Sequence, residues 1–184
     1  MKAFVVLSIA EAVRQLTIHA VFFHVMPYLS SIGVARSIAG FIAAAVPITS
    51  IAGRLILGWL GDRFDRRKIT AAAFVMMGIG ILCFGLAATS GVWLVIPFLI
   101  LFGTGYGGNN ALRYALSREY FGRANFGSIT GMIVGIGAVG GIVAPPLAGW
   151  VYDKLGSYQD AWFAFGALPL ATLLAVLTLP RKVR

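Results

Sequence analysis

Acidic side chains are scarce in this chain. Six Asp and Glu stand against fifteen Lys and Arg, and charged residues make up only 11% of its 184 positions. A soluble domain carries roughly 25%. With 59% hydrophobic residues and a mean hydropathy of +0.89, the apolar surface exceeds what one water-soluble core can hide, so the expected solvent is lipid. Cysteine is almost absent as well. Cys83 stands alone within an apolar run, which excludes a disulfide within the chain and any Cys/His metal spacing. No apolar run alternates with period two, which excludes the strands of a membrane barrel. No catalytic triad, metal cluster or phosphate loop on a soluble domain can be read, so neither enzyme activity nor a cofactor is expected. The net charge of +9 raises nucleic acid as a partner. The placement of the bases argues against it, because they gather in loops between apolar runs rather than along one polar face.

What the chain does have is six apolar runs, each near the 20 or so residues that cross a bilayer as helix. They lie near 3–29, 37–60, 69–89, 92–116, 127–152 and 161–180, predicting an all-α membrane protein in which residues 1–184 form one six-helix transmembrane bundle. The first run is too long for a signal-peptide core and contains Glu11 and Arg14, so it is not expected to be cleaved. Lys2, Arg63, Arg66, Arg67, Lys68, Arg118, Arg123, Arg181, Lys182 and Arg184 fall on one side of the predicted membrane. Only Arg36 and Lys154 fall on the other. This asymmetry predicts a multi-pass protein of the cell (inner) membrane with both termini cytoplasmic. Arg14, Arg54 and Arg113 remain at membrane depth.

The chain is organised around Gly53 to Lys68. Two acids and four bases fill Asp62 to Lys68 between two apolar runs, which reads as a short cytoplasmic hairpin. Its beginning recurs: Gly58-Trp59-Leu60-Gly61-Asp62-Arg63-Phe64 and Gly149-Trp150-Val151-Tyr152-Asp153-Lys154-Leu155 both read Gly-Trp-x-x-Asp-base-apolar, 91 positions apart. The same offset carries helix 1 near helix 4 and helix 3 near helix 6. Three helices per unit is an odd number, so the two copies face opposite sides of the membrane, an inverted 3+3 repeat.

Helix 1 carries Ser8, Glu11, Arg14, Gln15 and His19 on one face, at i+3 and i+4 spacing. A charge in lipid costs several kcal/mol, so this face is expected to look into a cavity or at partners. Two readings stay open: an internally satisfied Glu11–Arg14 pair that aids packing, or a site for substrate and protons with Glu11 as the proton carrier. Arg54 sits about six residues from the hairpin end of helix 2, roughly 9 Å deep, with Glu11 and Asn109-Asn110 at similar depth. Its planar fork suits a carboxylate; pairing with Glu11, or snorkelling to the surface, are its structural alternatives. Arg113 lies nearer the surface and is expected to snorkel, and His24 to be interfacial. Gly103-Thr104-Gly105-Tyr106-Gly107-Gly108 matches the G-x-G-x-x-G pattern but lies inside an apolar helix, where close helix packing, or a helix that bends during transport, is the better reading. Gly127, Gly131 and Gly135 are expected to form a second packing face, and Pro145-Pro146 to break or kink helix 5.

The hairpin spacing Gly58-x-x-x-Asp62-Arg63-x-x-Arg66-Arg67-Lys68 resembles the loop signature Gly-x-x-x-Asp-Arg/Lys-x-Gly-Arg-Arg/Lys of the major facilitator superfamily, with Asp65 where that pattern has glycine. Gly105-Tyr106-Gly107-Gly108, Glu119-Tyr120-Phe121-Gly122-Arg123, Phe126-Gly127-Ser128-Ile129 and His24-Val25-Met26-Pro27-Tyr28-Leu29 resemble the monocarboxylate and oxalate/formate branch, over helices seven to twelve of a twelve-helix carrier. The resemblance implies a half-carrier for a small organic anion, with six further helices before Met1 as its partner half. Arg54 occupies the place of that branch's carboxylate-binding arginine. Arg14, Gln15, His19, Tyr106, Asn109 and Asn110 complete the expected substrate wall, and Gly58, Asp62, Arg63, Arg66 and Arg67 the gating loop. No base stands between Arg123 and Lys154, which weighs against a dicarboxylate. The alternative is a stand-alone six-helix membrane subunit or homodimer with a structural or partner-binding role.

Overall fold

The computed structural model describes residues 2–180; Met1, Arg181, Lys182 and Arg184 lie outside the described residues. Six long helices account for almost all of it: α1 Lys2–Ser31, α2 Arg36–Arg63, α3 Arg66–Ser90, α4 Val95–Phe121, α5 Phe126–Leu155 and α6 Gln159–Leu177. All six are long and apolar enough to cross a membrane, α4 together with the short 3-10 turn Val92–Leu94 before it. No strand occurs among the described residues. The chain is a multi-pass, all-α membrane protein.

Short connectors keep consecutive helices antiparallel. Four of the five contain one glycine with positive φ, at Gly33, Gly91, Gly122 and Gly156, where any other L-residue would be strained. The fifth connector, Phe64-Asp65, works differently. Asp65 has φ −64° and its carboxylate accepts the backbone N–H of Arg67 at 3.0 Å, capping α3. That accounts for aspartate where the loop signature has glycine: the turn here needs a cap, not a left-handed residue.

α1 packs along α5, α2 along α4, and α3 lies between α4 and α6. Exchanging the two triplets turns α1 against α5 into α4 against α2, and leaves α3 against α6 unchanged, as an inverted repeat requires. In lipid there is little hydrophobic drive between helices, so close van der Waals packing holds them together. The glycines of α4 provide it. A Cβ on Gly103 would strike Thr49, one on Gly107 the Ser50 carbonyl, and one on Gly108 the Leu57 side chain, all on α2. A Cβ on Gly105 would strike Ala73 and Met77 of α3 instead. At the end away from the Phe64-Asp65 turn, Tyr28, Phe84, Phe98 and Trp162 form a fully buried aromatic cluster, closed by Tyr28 donating to the Phe84 carbonyl at 2.7 Å.

On α5 the packing glycines are not those expected. Gly127, Gly131 and Gly135 meet no atom within 4 Å of an added Cβ, whereas Gly137, Gly140 and Gly141 press on Glu11, Ala12 and His19 of α1. Nor do Pro145 and Pro146 break α5, which runs unbroken through both. Neighbouring groups help a membrane helix to absorb proline. Here the His24 Nε2–H donates to the Pro145 carbonyl at 2.9 Å, and the Tyr158 hydroxyl lies 3.3 Å from Nδ1. His24 therefore ties α1 to α5 and the start of α6 and is not merely interfacial. α5 and α2 bury the smallest share of their apolar spans, 22% and 28% against 56% for α1 and α3, so most of their surface is left to lipid or to a partner.

One expected result follows from the glycines. Gly107→Leu puts a branched side chain against the Ser50 backbone, which cannot move aside as a side chain can, and should cost about 3 kcal/mol or more. Gly131→Ala enters open space and should leave stability nearly unchanged. Thermal unfolding of the detergent-solubilised variants compares them, and equal midpoints would contradict the assigned packing face.

Candidate functional site

The polar face of α1 turns inward. Ser8, Glu11 and Arg14 are buried, and Gln15 and His19 half-buried. Glu11 and Arg14 stand one helical turn apart and meet in a two-point pair: Arg14 donates from Nε to Oε2 at 2.8 Å and from Nη2 to Oε1 at 2.6 Å. Gly137 makes room for this, because a Cβ there would collide with the Glu11 side chain. The Arg14 guanidinium lies 5.7 Å from the ring centre of Tyr106 on α4.

A second arginine joins them. Arg113 does not snorkel away. It donates from Nη1 to the same Glu11 Oε1 and from Nη2 to Asn110 Oδ1 at 3.0 Å, with its guanidinium 4.3 Å from the Tyr114 ring centre. Tyr106, Asn110 and Arg113 are spaced four and three residues apart, so they share one face of α4. That spacing is the sequence signal for the grouping, and distance from the helix end does not carry it. Two guanidinia thus share one carboxylate inside the apolar slab. Asn109 turns toward α3, where its Nδ2 donates to Met77 Sδ at 3.2 Å. With Glu11, Arg14, Thr70, Phe74 and Arg113 it lines an internal cavity of about 20 Å³, room for about one water.

Gln15 and His19 line a separate, larger groove of about 460 Å³ between α1 and α5, with Phe23, Ile142 and Pro145 among its walls. His19 Nδ1 lies 2.8 Å from the Gln15 carbonyl. A carbonyl only accepts, so Nδ1 is the donor in this contact.

Arg54 stands apart. It is exposed on α2 and forms no ion pair among the described residues; Glu11 is engaged by Arg14 and Arg113 instead. The hairpin residues are drawn together at the other end of α2. Arg66 bridges Asp62 at 2.9 Å and Glu119 at 3.1 Å. Arg67 pairs with Asp65 at 2.7 Å and donates to the Leu179 carbonyl at 2.5 Å, while the Arg63 guanidinium lies 4.2 Å from the Trp59 ring centre. Gly58 faces Ala111 of α4, at 3.8 Å from an added Cβ. The hairpin is therefore tied to the ends of α4 and α6, by contacts that are individually weak where they are exposed.

Known proteins carry the same architecture. The Fucose:proton symporter FucP of E. coli superposes with a TM-score of 0.84 at 17% identity, over 99% of this chain and 44% of the symporter; at that identity the likeness is one of fold. Monocarboxylate transporter 12 of Xenopus laevis is 30% identical over 147 residues, covering 79% of this chain and 32% of the relative. Monocarboxylate transporter 12-B of Danio rerio is 32% identical over 158 residues, covering 83% and 33%. Monocarboxylate transporter 13 of Rattus norvegicus is 25% identical over 159 residues, covering 85% and 37%. The chain spans about a third of the length of these curated relatives. The sequence profile of the Major Facilitator Superfamily matches residues 8–184. With that match over nearly its whole length, the chain belongs to the Major Facilitator Superfamily, a family of membrane transporters and not of enzymes.

Proposed function

We propose that this chain is the C-terminal half of a secondary transporter that moves a small organic anion, such as a monocarboxylate, by alternating access. The observation that carries the reading is Arg54: a guanidinium on a membrane-length helix, exposed, with no ion pair among the described residues. Such a charge is too costly to leave in lipid, so it faces a watery path or an anion. The relatives named for monocarboxylate transport support the substrate class, and their threefold greater length supports a second half that supplies the opposing wall. Arg54 is the first ligand of the substrate carboxylate. Arg14, Gln15, His19, Tyr106, Asn109 and Asn110 line the path, and Glu11 carries the coupling proton. Gly58, Asp62, Arg63, Arg66 and Arg67 bias the carrier between its two open states.

The test is uptake by the full-length carrier across a panel of radiolabelled carboxylates, sugars and cationic drugs. Saturable uptake confined to monocarboxylates is the expected result; uptake of only neutral or cationic compounds refutes it. Orientation is tested separately. The bases predict that the 62–68 hairpin and both termini face the cytoplasm of a cell (inner) membrane. In sealed cells, an impermeant thiol reagent should label a Ser90→Cys variant and spare an Asp65→Cys variant. The reverse pattern would invert the topology.

A further inference from the structure

We infer that Arg113 is a second, two-point ligand for the substrate carboxylate, held ready by Asn110 as an exchangeable stand-in. The inference rests on the anion-carrier reading but assigns a residue outside the Arg54 site.

Three observations converge. The first is charge. Arg14 and Arg113 share the single carboxylate of Glu11. The chain's other acids are Asp62, Asp65, Glu119, Asp153 and Asp160; the first three serve the hairpin pairs, and the last two lie at the ends of α5 and α6. No acid from α2, α3, α5 or α6 joins Glu11, so the cluster is one negative charge short. A buried, uncompensated charge is costly in this setting, and an incoming anion removes that cost.

The second is geometry. A guanidinium binds a carboxylate side-on through Nε and Nη2, as Arg14 does with Glu11. On Arg113 that edge is not spent on a charge. Nη2 donates to the neutral amide oxygen of Asn110, and Nε is buried with no acceptor. Nη1 alone holds Glu11. A substrate carboxylate can therefore take Nε and Nη2, displacing the Asn110 amide, while the contact to Glu11 and the Glu11–Arg14 pair stay intact.

The third is access. Arg113 is 10% exposed, against 1% for the Glu11 side chain. Tyr114, which stacks on Arg113, is also a wall of a groove of about 420 Å³ with Arg118, Arg123 and Phe126. Tyr114 thus links the Arg113 guanidinium to the wall of a groove that also carries Arg118 and Arg123, while Arg113 itself lines the cavity of about 20 Å³.

The experiment measures thermal unfolding of the full-length carrier in lipid nanodiscs during titration with acetate or pyruvate at constant ionic strength. Wild type should show a saturable rise in midpoint. Arg113→Gln should lose it, and Arg113→Lys, which keeps the charge without the fork, should need at least about tenfold more carboxylate. Glu11→Gln should saturate at a lower concentration, because a repelling charge beside the site is gone. That sign is not expected of a residue that merely packs, and circular dichroism on each variant confirms that the helices form. A midpoint that does not respond in wild type overturns the inference. So does an unaltered response in Arg113→Gln; if Arg54→Gln then abolishes it, the Arg54 reading stands while this one falls. A response lost in Arg113→Gln but kept in Arg54→Gln supports Arg113 and displaces Arg54.

Discussion

In the full-length carrier, Arg54→Lys should reduce the initial rate of carboxylate uptake by about two orders of magnitude while the protein still reaches the membrane. Lysine keeps the positive charge at the same depth, so the electrostatic attraction that draws an anion to α2 survives. It loses the planar fork that binds both carboxylate oxygens at once. Losing a desolvated, charge-assisted contact of this kind costs about 2–5 kcal/mol, with each 1.4 kcal/mol a factor of about ten. Arg54 is well placed for so specific a loss. It makes no ion pair among the described residues, so its replacement breaks none. Surface biotinylation reports insertion, and uptake of radiolabelled pyruvate or lactate reports function. Uptake kinetics matching the wild type would return Arg54 to a structural role.

The fold was legible because lipid imposes a length. A backbone crossing a bilayer must satisfy its own hydrogen bonds, so about 20 apolar residues in a row can only be helix. The inverted repeat was legible for a similar reason, since Gly58-Trp59 and Gly149-Trp150 mark equivalent helix ends whatever their surroundings. Which face of each helix packs was not legible. In lipid both the packed and the lipid-facing sides are apolar, so composition does not separate Gly127-Gly131-Gly135, which meets open space, from Gly137-Gly140-Gly141, which holds α1. Spacing alone fits either stripe. Pro145-Pro146 misled for a related reason: the His24 contact to the Pro145 carbonyl comes from 121 residues away.

The site was half legible. The i+3 spacing of Glu11 and Arg14 announced their pairing. Distance from the helix end does not predict the fate of Arg113 when a carboxylate on another helix can reach it. An acid buried among two bases draws in both, because leaving either unpaired in lipid costs more than bending a long side chain inward.

The second large effect concerns the chain by itself. Purified and reconstituted into proteoliposomes, these 184 residues should insert but show no saturable uptake. In this family the substrate path runs between two six-helix bundles that rock about a central site. On the proposed half-carrier reading one wall is present, with Glu11 engaged by both Arg14 and Arg113 and Arg54 exposed. α2 and α5 bury little of their apolar spans within the chain, and α2 carries exposed Phe41, Ile48, Ile51, Leu55 and Trp59. A second copy inserted the same way would be related by an axis along the membrane normal, which is also the relation between the two halves of such carriers. Self-pairing is therefore geometrically open. Against its being productive stands the charge: a symmetric pair would bring two Arg54 guanidinia to one path with no acid on the facing wall. Each Glu11 is already engaged by two arginines in its own copy. Such a path repels itself when empty, and the expected outcome is a chain that inserts, pairs poorly and transports nothing. Saturable uptake that disappears with Arg54→Lys would instead establish a dimeric six-helix transporter.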